Sequence, residues 1–166
     1  MSDQTSFWGF SLTFYARSGA ADLCLDLQDR FAVDVNLLLY LLWQASRGRR
    51  LDAGEIGEVV ARVEGWRQQV VLPLRAVRRF LKQPPPSWPA AEAHILRERI
   101  KADELQAERL QQEIMEQQFA HLGTSEEIVT AARANCDIYA QLLAVRFPQQ
   151  HVASLTTLLT DRQSPG

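Results

Sequence analysis

The sequence lacks the short motifs that mark the common catalytic centres. It contains no HExxH zinc motif, no GxSxG nucleophile elbow, no Walker A loop and no glycine-rich Rossmann turn. Its three histidines are scattered along the chain, at positions 94, 121 and 151. We therefore expect a protein without catalytic activity of its own, without a cofactor and without a metal site.

Cysteine and long hydrophobic runs are also scarce. The two cysteines, Cys24 and Cys136, lie far apart and predict buried thiols in a reducing compartment rather than a disulfide framework. The longest apolar run, residues 35–43, is about half as long as the ~20 residues that cross a bilayer, so it predicts a buried helix. The first residues lack the features of a signal peptide. We therefore expect a cytoplasmic protein without a membrane span.

No segment shows the alternation of apolar and polar residues that indicates a β-strand. Glycine and proline instead interrupt stretches that have the apolar period of helices. Capping boxes are expected at residues 52–55 and 124–127, where each would begin a helix. Pro73 is expected to kink a helix or to begin a new one, because proline has no amide hydrogen. The pattern predicts an all-α fold.

Three consecutive prolines at residues 84–86 form the clearest boundary in the chain. Prolines cannot continue a helix, and they favour a stiff, extended spacer. We therefore predict a compact multi-helix body at residues 1–83, a proline-rich spacer at 84–89, and a long helical hairpin with a short terminal helix at 90–166. The sequence leaves open whether the hairpin packs on the body as one domain.

The first arm of the predicted hairpin carries a patchy heptad of apolar residues. Its members are Leu96, Ile100, Ala107, Leu110 and Ile114. A second apolar stripe lies in the segment 128–143. We expect the two stripes to pack against each other; the alternative is a homodimer, or the capture of a partner helix, through residues 90–147.

Four short clusters in the N-terminal half resemble those of a known family. They are Phe7-Trp8, Leu27-Gln28, Asp34-Val35-Asn36 and Pro73-Leu74-Arg75. In the stretches 7–43 and 66–82 the sequence resembles an uncharacterised proteobacterial family of small helical cytoplasmic proteins, a domain of unknown function. The resemblance implies a bacterial, cytoplasmic, helical protein, and it implies no activity, cofactor or catalytic residue.

The strongest local feature is a basic helix face in a chain whose net charge is −2. Residues 62–82 contain six basic residues and one acidic residue, a local charge of +5. The candidate partner-binding residues in this segment are Arg67, Arg75, Arg78, Arg79 and Lys82. The last four recur at helical spacing and therefore share one face. Arginine suits the recognition of carboxylate or phosphate, because its planar guanidinium donates two parallel hydrogen bonds.

Three interpretations of this basic face remain open. It is exposed to solvent, or it is neutralised by the predicted hairpin, since residues 84–166 contain seven basic and eleven acidic residues. In the third interpretation it docks an acidic partner. We therefore predict a non-enzymatic interaction protein, an adaptor or regulatory factor, that binds an acidic protein. The alternative is a nucleic-acid or phosphate ligand, which is less expected because the face is short and the chain is acidic.

Asp34 and Asn36 flank the start of the apolar helix predicted at 35–47. Asp34 is placed to cap that helix, since a carboxylate accepts hydrogen bonds from free backbone amides. Alternatively the two side chains form a buried polar pair that fixes the angle between two helices, because buried polar groups need partners. Both residues are therefore candidates for a structural polar role.

Asp22, Asp26 and Asp29 form an acidic helix face. A DxxxD pair on a helix can hold Mg²⁺ and a diphosphate, as in all-α prenyl-transfer enzymes, so a Mg²⁺-dependent diphosphate enzyme is a remote alternative. Such enzymes need a second, facing acidic motif and a longer chain, and this sequence has one motif. We expect a solvated helix face.

Overall fold

The protein is built almost wholly from α-helices, which confirms the all-α prediction. The structure is a computed structural model, and it describes residues 6–161. The helices are α1 (Phe7–Tyr15), α2 (Ala20–Phe31), α3 (Val35–Ser46), α4 (Ala53–Trp66), α5 (Leu72–Phe80), α6 (Ala90–Gln118), α7 (Ile128–Leu142) and α8 (Gln149–Thr160). Within the described residues, no helix combines the length and the hydropathy that a membrane crossing requires.

Two very short strands, β1 (Arg49–Arg50) and β2 (Thr124–Ser125), pair in an antiparallel manner. The capping box predicted at residues 52–55 is present at the start of α4. The one predicted at 124–127 is wrong, because the first two of these residues form β2. Glu127 alone caps α7, and its carboxylate accepts hydrogen bonds from the amides of Val129 and Thr130, each at 2.9 Å.

The core is one hydrophobic cluster around α3. Most of α3 is buried because α1, α2, α6, α7 and α8 all pack against it. Both halves of the chain contribute to this cluster: Phe14 and Leu42 come from the first half, and Met115 and Leu155 come from the second. The predicted spacer at 84–89 therefore joins two parts of one packed unit.

The two helices that we expected to pair as a hairpin pack on different neighbours. Among the described residues, α7 packs mainly on α3, and α6 packs mainly on α5. The predicted packing of the two apolar stripes is wrong for this reason: α7 buries its apolar face against α3, while Leu96, Leu110 and Ile114 on α6 are exposed. The hairpin that is present consists of α5 and α6.

A π-helical segment, Arg67–Val71, joins α4 to α5 just before Pro73. In this segment the amide of Leu72 donates to the carbonyl of Arg67, five residues earlier. Pro73 explains the wider turn, because its ring has no N–H to donate and clashes with the carbonyl four residues before it. The break predicted at Pro73 is therefore present as a widened turn.

The chain from residue 72 to residue 103 forms an arm, which comprises α5, the proline-rich loop and the first half of α6. None of the residues in this range is buried. Among the described elements, α5 packs chiefly on α6, and it continues directly from the π-helical segment as the next turns of the same helix. The arm therefore adds little to the hydrophobic core, and its position depends on polar contacts described below.

The turn between α6 and β2 requires a glycine at position 123. Gly123 has a φ of +97°, and a Cβ there would lie 3.0 Å from the Arg50 carbonyl oxygen. We predict that Gly123→Ala lowers the free energy of unfolding by about 1–3 kcal/mol, measured by urea denaturation. Gly57→Ala is the matched control, because open space surrounds its Cβ position inside α4 and alanine favours a helix. Equal denaturation midpoints for the two variants would contradict this account of the turn.

Candidate functional site

The buried face of α6 is polar. Glu104, Gln111 and Gln112 each expose 5% or less of their surface. Together with Ala107 and Met115 they recur every three or four residues, so they share one side of the helix. Burying such groups costs free energy unless each finds a partner. The partners come from the start of α3 and from α5.

Asp34 links the start of α3 to α6. Its Oδ1 accepts a hydrogen bond from the backbone N–H of Asn36 at 3.0 Å, and this is the cap that the sequence predicts. Its Oδ2 accepts a hydrogen bond from Gln111 Nε2 at 2.6 Å and lies 3.8 Å from Arg67 Nε. Burial raises the pKa of Asp34, although Arg67 and Gln111 oppose that rise. Asp34 is thus both a cap and part of a buried polar network.

The carboxylate of Asp34 sets the direction of the amides beyond it, because an anion only accepts hydrogen bonds. Gln111 turns its NH₂ to Asp34, so its Oε1 accepts from Asn36 Nδ2 at 3.3 Å. Asn36 Oδ1 in turn accepts from Gln112 Nε2 at 2.8 Å. These four residues form the Asp34 network. It ends at Gln112 Oε1, which is buried and has no hydrogen-bond partner among the described residues.

Two arginines from α5 hold the other end of the polar face. Arg75 donates from Nε to Glu104 at 2.9 Å and from Nη2 to Glu108 at 2.8 Å. Arg78 donates to both carboxylate oxygens of Glu104. Burial alone would raise the pKa of Glu104, but the hydrogen bonds and charges of Arg78 and Arg75 outweigh it, and the net effect lowers that pKa. Burial raises the pKa of Glu108. We call these four residues the Glu104 clamp.

Most of the predicted basic face is therefore engaged inside the protein. Arg75 and Arg78 are neutralised by α6, which was one of the three interpretations of the charge pattern. Arg67 is largely buried beside Asp34 and also lies 3.6 Å from Glu64. These three guanidinium groups would have to give up ion pairs of the same chain before they could bind a partner.

The rest of the predicted basic face is open to solvent. Arg79 and Lys82 are both exposed, and Arg79 lies 3.8 Å from the exposed Asp29 in a weak surface pair. The sequence places all five candidate partner-binding residues on one segment. In the structure, two of the five, Arg79 and Lys82, make no close contact with a buried carboxylate.

The acidic face of α2 forms surface ion pairs. Asp26 contacts Arg30 at 3.0 Å and His151 at 2.7 Å, which ties α2 to α8. Asp22 is exposed. Within residues 6–161, no group of three or more His, Cys, Asp and Glu side chains is arranged to hold a metal ion.

Both cysteines are buried free thiols, as the sequence predicts. Burial raises the pKa of Cys24 and of Cys136 to about 12 in each case. A thiol with a raised pKa carries little thiolate at neutral pH and is a poor nucleophile. The two cysteines therefore belong to the core and not to a reactive centre.

A cleft of about 580 Å³ lies over the polar face, between α6 and the helices α1, α2, α3 and α5. Asn36 and Gln112 of the Asp34 network line it, as do all four residues of the Glu104 clamp. Trp8 of α1 and Leu105 of α6 contribute apolar surface to its lining. The sequence patterns did not predict this site. Its one local signal is the spacing of Glu104, Glu108, Gln111 and Gln112, which places four polar residues on one side of α6.

Removing the charge of Glu104 tests the clamp. We predict that Glu104→Gln lowers the free energy of unfolding at neutral pH by about 3 kcal/mol, because it leaves two partly buried guanidinium groups without their anion. Glu113→Gln is the matched control on the same helix, and its exposed pair with Arg109 should contribute less than ~0.5 kcal/mol. Chemical denaturation measures both variants. Similar losses for the two variants would contradict the clamp.

The stabilisation by Glu104 should also depend on pH. Because the folded-state pKa of Glu104 is lowered, its contribution is complete above its usual value of 4.5 and is lost as the pH falls through the lowered pKa. We predict that the difference in unfolding free energy between the wild-type protein and Glu104→Gln is constant near neutrality and shrinks in acid. A pH series of urea denaturations measures this difference. A difference that stays constant in strong acid would refute the assignment.

Comparison with known proteins places this site within the part of the chain that matches a protein family. Residues 6–115 match a family described as a protein of unknown function, DUF2390. The matched range contains the arm, the Asp34 network and the Glu104 clamp, whereas α7 and α8 follow it. No curated protein and no solved structure matches the chain. Because the match spans well over half of the sequence, the protein belongs to this family of proteins of unknown function, DUF2390.

Proposed function

We propose that the protein is a non-enzymatic interaction protein that docks an acidic partner protein through the arm. The supporting observation is that the arm carries five exposed large hydrophobic side chains. They are Val77, Phe80, Trp88, Ile95 and Leu96. Phe80 and Trp88 expose 63% and 66% of their surface. Aromatic side chains contribute much of the binding free energy at protein interfaces, since they bury a large apolar area in a defined geometry.

The construction of the arm supports this role. The large hydrophobic side chains of the arm do not contribute to the hydrophobic core, because no residue of the arm is buried. Exposed apolar surface of this kind is typical of interaction sites. The loop between the helices is stiffened by residues 84–86 and by a hydrogen bond from the Trp88 amide to the Pro85 carbonyl at 2.9 Å. A stiff loop loses little conformational entropy when a partner binds.

The charge of the arm indicates the chemistry of the partner. Residues 72–103 contain seven basic and three acidic residues, in a chain whose net charge is −2. Two of the basic residues, Arg75 and Arg78, are held in the Glu104 clamp, which leaves five cations against three anions. Arg79 and Lys82 are the free part of the predicted basic face. We expect a partner segment that combines apolar anchors with acidic side chains, since complementary charge speeds encounter and fixes orientation.

Cross-linking in the cells from which the protein comes tests this proposal. A photo-reactive amino acid in place of Trp88 is expected to give discrete protein adducts, which mass spectrometry identifies and whose linked segments are acidic. The matched control places the same amino acid at Leu142, an exposed hydrophobic position on α7. Identical adduct patterns at both positions would exclude the arm as the specific docking surface.

The identified partner then allows an affinity measurement with purified proteins. We predict that Phe80→Ala and Trp88→Ala each weaken binding by about tenfold or more, because truncated hot-spot residues cost ~2 kcal/mol or more. Their thermal midpoints should stay close to that of the wild-type protein, since neither side chain is buried. Arg79→Glu is expected to weaken binding mainly at low salt. Unchanged affinity in both aromatic variants would contradict the proposal.

Two alternative binding partners of the arm, a second copy of the chain and a nucleic acid, can be distinguished by light scattering and by chromatography on heparin. A second copy of the chain, the homodimer through residues 90–147, would give a dimeric mass in light scattering that Leu110→Glu reverts to a monomeric mass. A nucleic acid bound through Arg79 and Lys82 would give strongly salt-dependent retention on heparin, because phosphate contacts release counterions. If cross-linking at Trp88 gives no protein adduct, a dimeric mass would identify a second copy of the chain as the binding partner, and salt-dependent retention on heparin would identify a nucleic acid.

A further inference from the structure

We propose that the acidic partner places an amphipathic α-helix along the cleft between α1 and α6, with its apolar side chains in the cleft and its carboxylates on Arg79 and Lys101. This inference rests on the proposed function and extends it, because it names the part of the partner that binds and the place where it lies. The arm forms one wall of this cleft, since Arg79, Lys101 and Ala102 all belong to the arm and all line it. The cleft and the arm are therefore parts of one continuous surface.

The shape of the cleft fits a helix better than a small molecule. Its lining residues on α6 extend from Glu98 to Gln112. At 1.5 Å per residue this range is roughly 20 Å long. A volume of about 580 Å³ that is spread over such a length forms a narrow groove. Grooves of this kind bind amphipathic helices, whose apolar side chains at positions i, i+3 or i+4, and i+7 lie in the groove.

The lining of the cleft offers apolar surface to such side chains. On α1, Trp8, Leu12 and Tyr15 line the cleft, and their spacing of four and three residues places them on one side of the helix. On α6, Ala102 and Leu105 line it. Leu12 and Leu105 expose 52% and 51% of their surface, so about half of each side chain is available to a partner. Covering this surface with aliphatic side chains of the partner would stabilise the complex in proportion to the area removed from water.

The apolar surface of α6 in the cleft continues along the helix to the exposed hydrophobic side chains of the arm. Ile95 is one of these side chains. It precedes Ala102 by seven residues, or about two helical turns, and therefore lies on the same side of α6. Leu105 follows Ala102 by three residues on that side. A partner that docks on the arm thus meets an apolar row that leads into the cleft.

The charges of the cleft favour an acidic helix. Its lining contains four basic and three acidic side chains, and the Glu104 clamp pairs two of each. The third carboxylate, that of Glu98, pairs with Arg97 at 2.8 Å. Of the remaining cations, Arg79 lies 3.8 Å from the exposed Asp29, and Lys101 is in no ion pair of the described residues. Carboxylates of a partner can therefore bind Arg79 and Lys101 without breaking a strong ion pair.

Photo-cross-linking separates this inference from the proposed function. A photo-reactive amino acid at Leu12 or at Leu105, two positions outside the arm, is expected to cross-link the same partner protein as the one at Trp88. The linked segment should combine acidic residues with apolar residues at helical spacing. Leu110 is the matched control, because it is an exposed leucine of the same helix as Leu105 and does not line the cleft.

The outcomes distinguish the two proposals. Adducts at Trp88 with none at Leu12 and Leu105, or the same adducts at Leu105 and at Leu110, would overturn the inference and leave the proposed function in place. The lack of a protein adduct at Trp88 would overturn both.

A synthetic peptide with the cross-linked sequence of the partner then tests how the segment binds. NMR of the isotope-labelled peptide on the full chain is expected to show a helix, and an extended bound peptide would overturn the inference. Leu105→Glu should weaken binding by about tenfold or more, as the loss of a central apolar contact does. Lys101→Glu should weaken it mainly at low salt.

Leu110→Glu is the matched control for these affinities and is expected to keep the wild-type affinity. Because Lys101, Leu105 and Leu110 are all exposed, the thermal midpoints of the three variants should stay close to that of the wild-type protein. Equal affinities of Leu105→Glu and Leu110→Glu for the peptide would contradict binding in the cleft.

Discussion

The ion pair between Glu104 and the two arginines of α5 is the contact on which the arrangement of the arm depends. The arm has no fully buried side chain, so apolar packing holds α5 less firmly than it holds α3. A carboxylate that is almost inaccessible to water needs strong partners, and Arg75 and Arg78 reach it from one helix at a spacing of three residues. The burial of Glu104 and the position of α5 therefore require each other.

Asp34 has the same kind of influence at the other end of α6. Its carboxylate caps α3, orders the amides of Gln111 and Asn36, and thereby leaves the side-chain oxygen of Gln112 without a donor among the described residues. A hydrogen-bonded chain of amides has two possible directions, and a single buried anion at one end selects between them.

The sequence predicted the local structure well and the tertiary contacts of α6 poorly. Glycine and proline marked the helix ends, and a capping residue such as Asp34 or Asp52 could be identified because its partner amides are neighbours in the chain. Apolar spacing predicted that Leu96 and Leu110 pack against the stripe of segment 128–143, but spacing does not reveal which side of a helix is covered. Glu104 is buried because of arginines more than 25 residues away, and no local pattern contains that information.

Folding alone explains neither the exposed aromatic side chains of the arm nor the unpartnered side-chain oxygens of Ser11 and Gln112. A sequence selected only for stability would replace Trp88 by a polar residue and Ser11 by alanine, since both changes remove unfavourable groups. Local departures of this kind are expected at functional sites, where binding compensates for what folding loses. The exposed aromatic side chains adjoin α5, whose position depends in part on the ion pairs with Glu104 and Glu108. A ligand that contacts Arg75 or Arg78 would therefore also change the position of the arm if it binds one position of α5 more tightly than another.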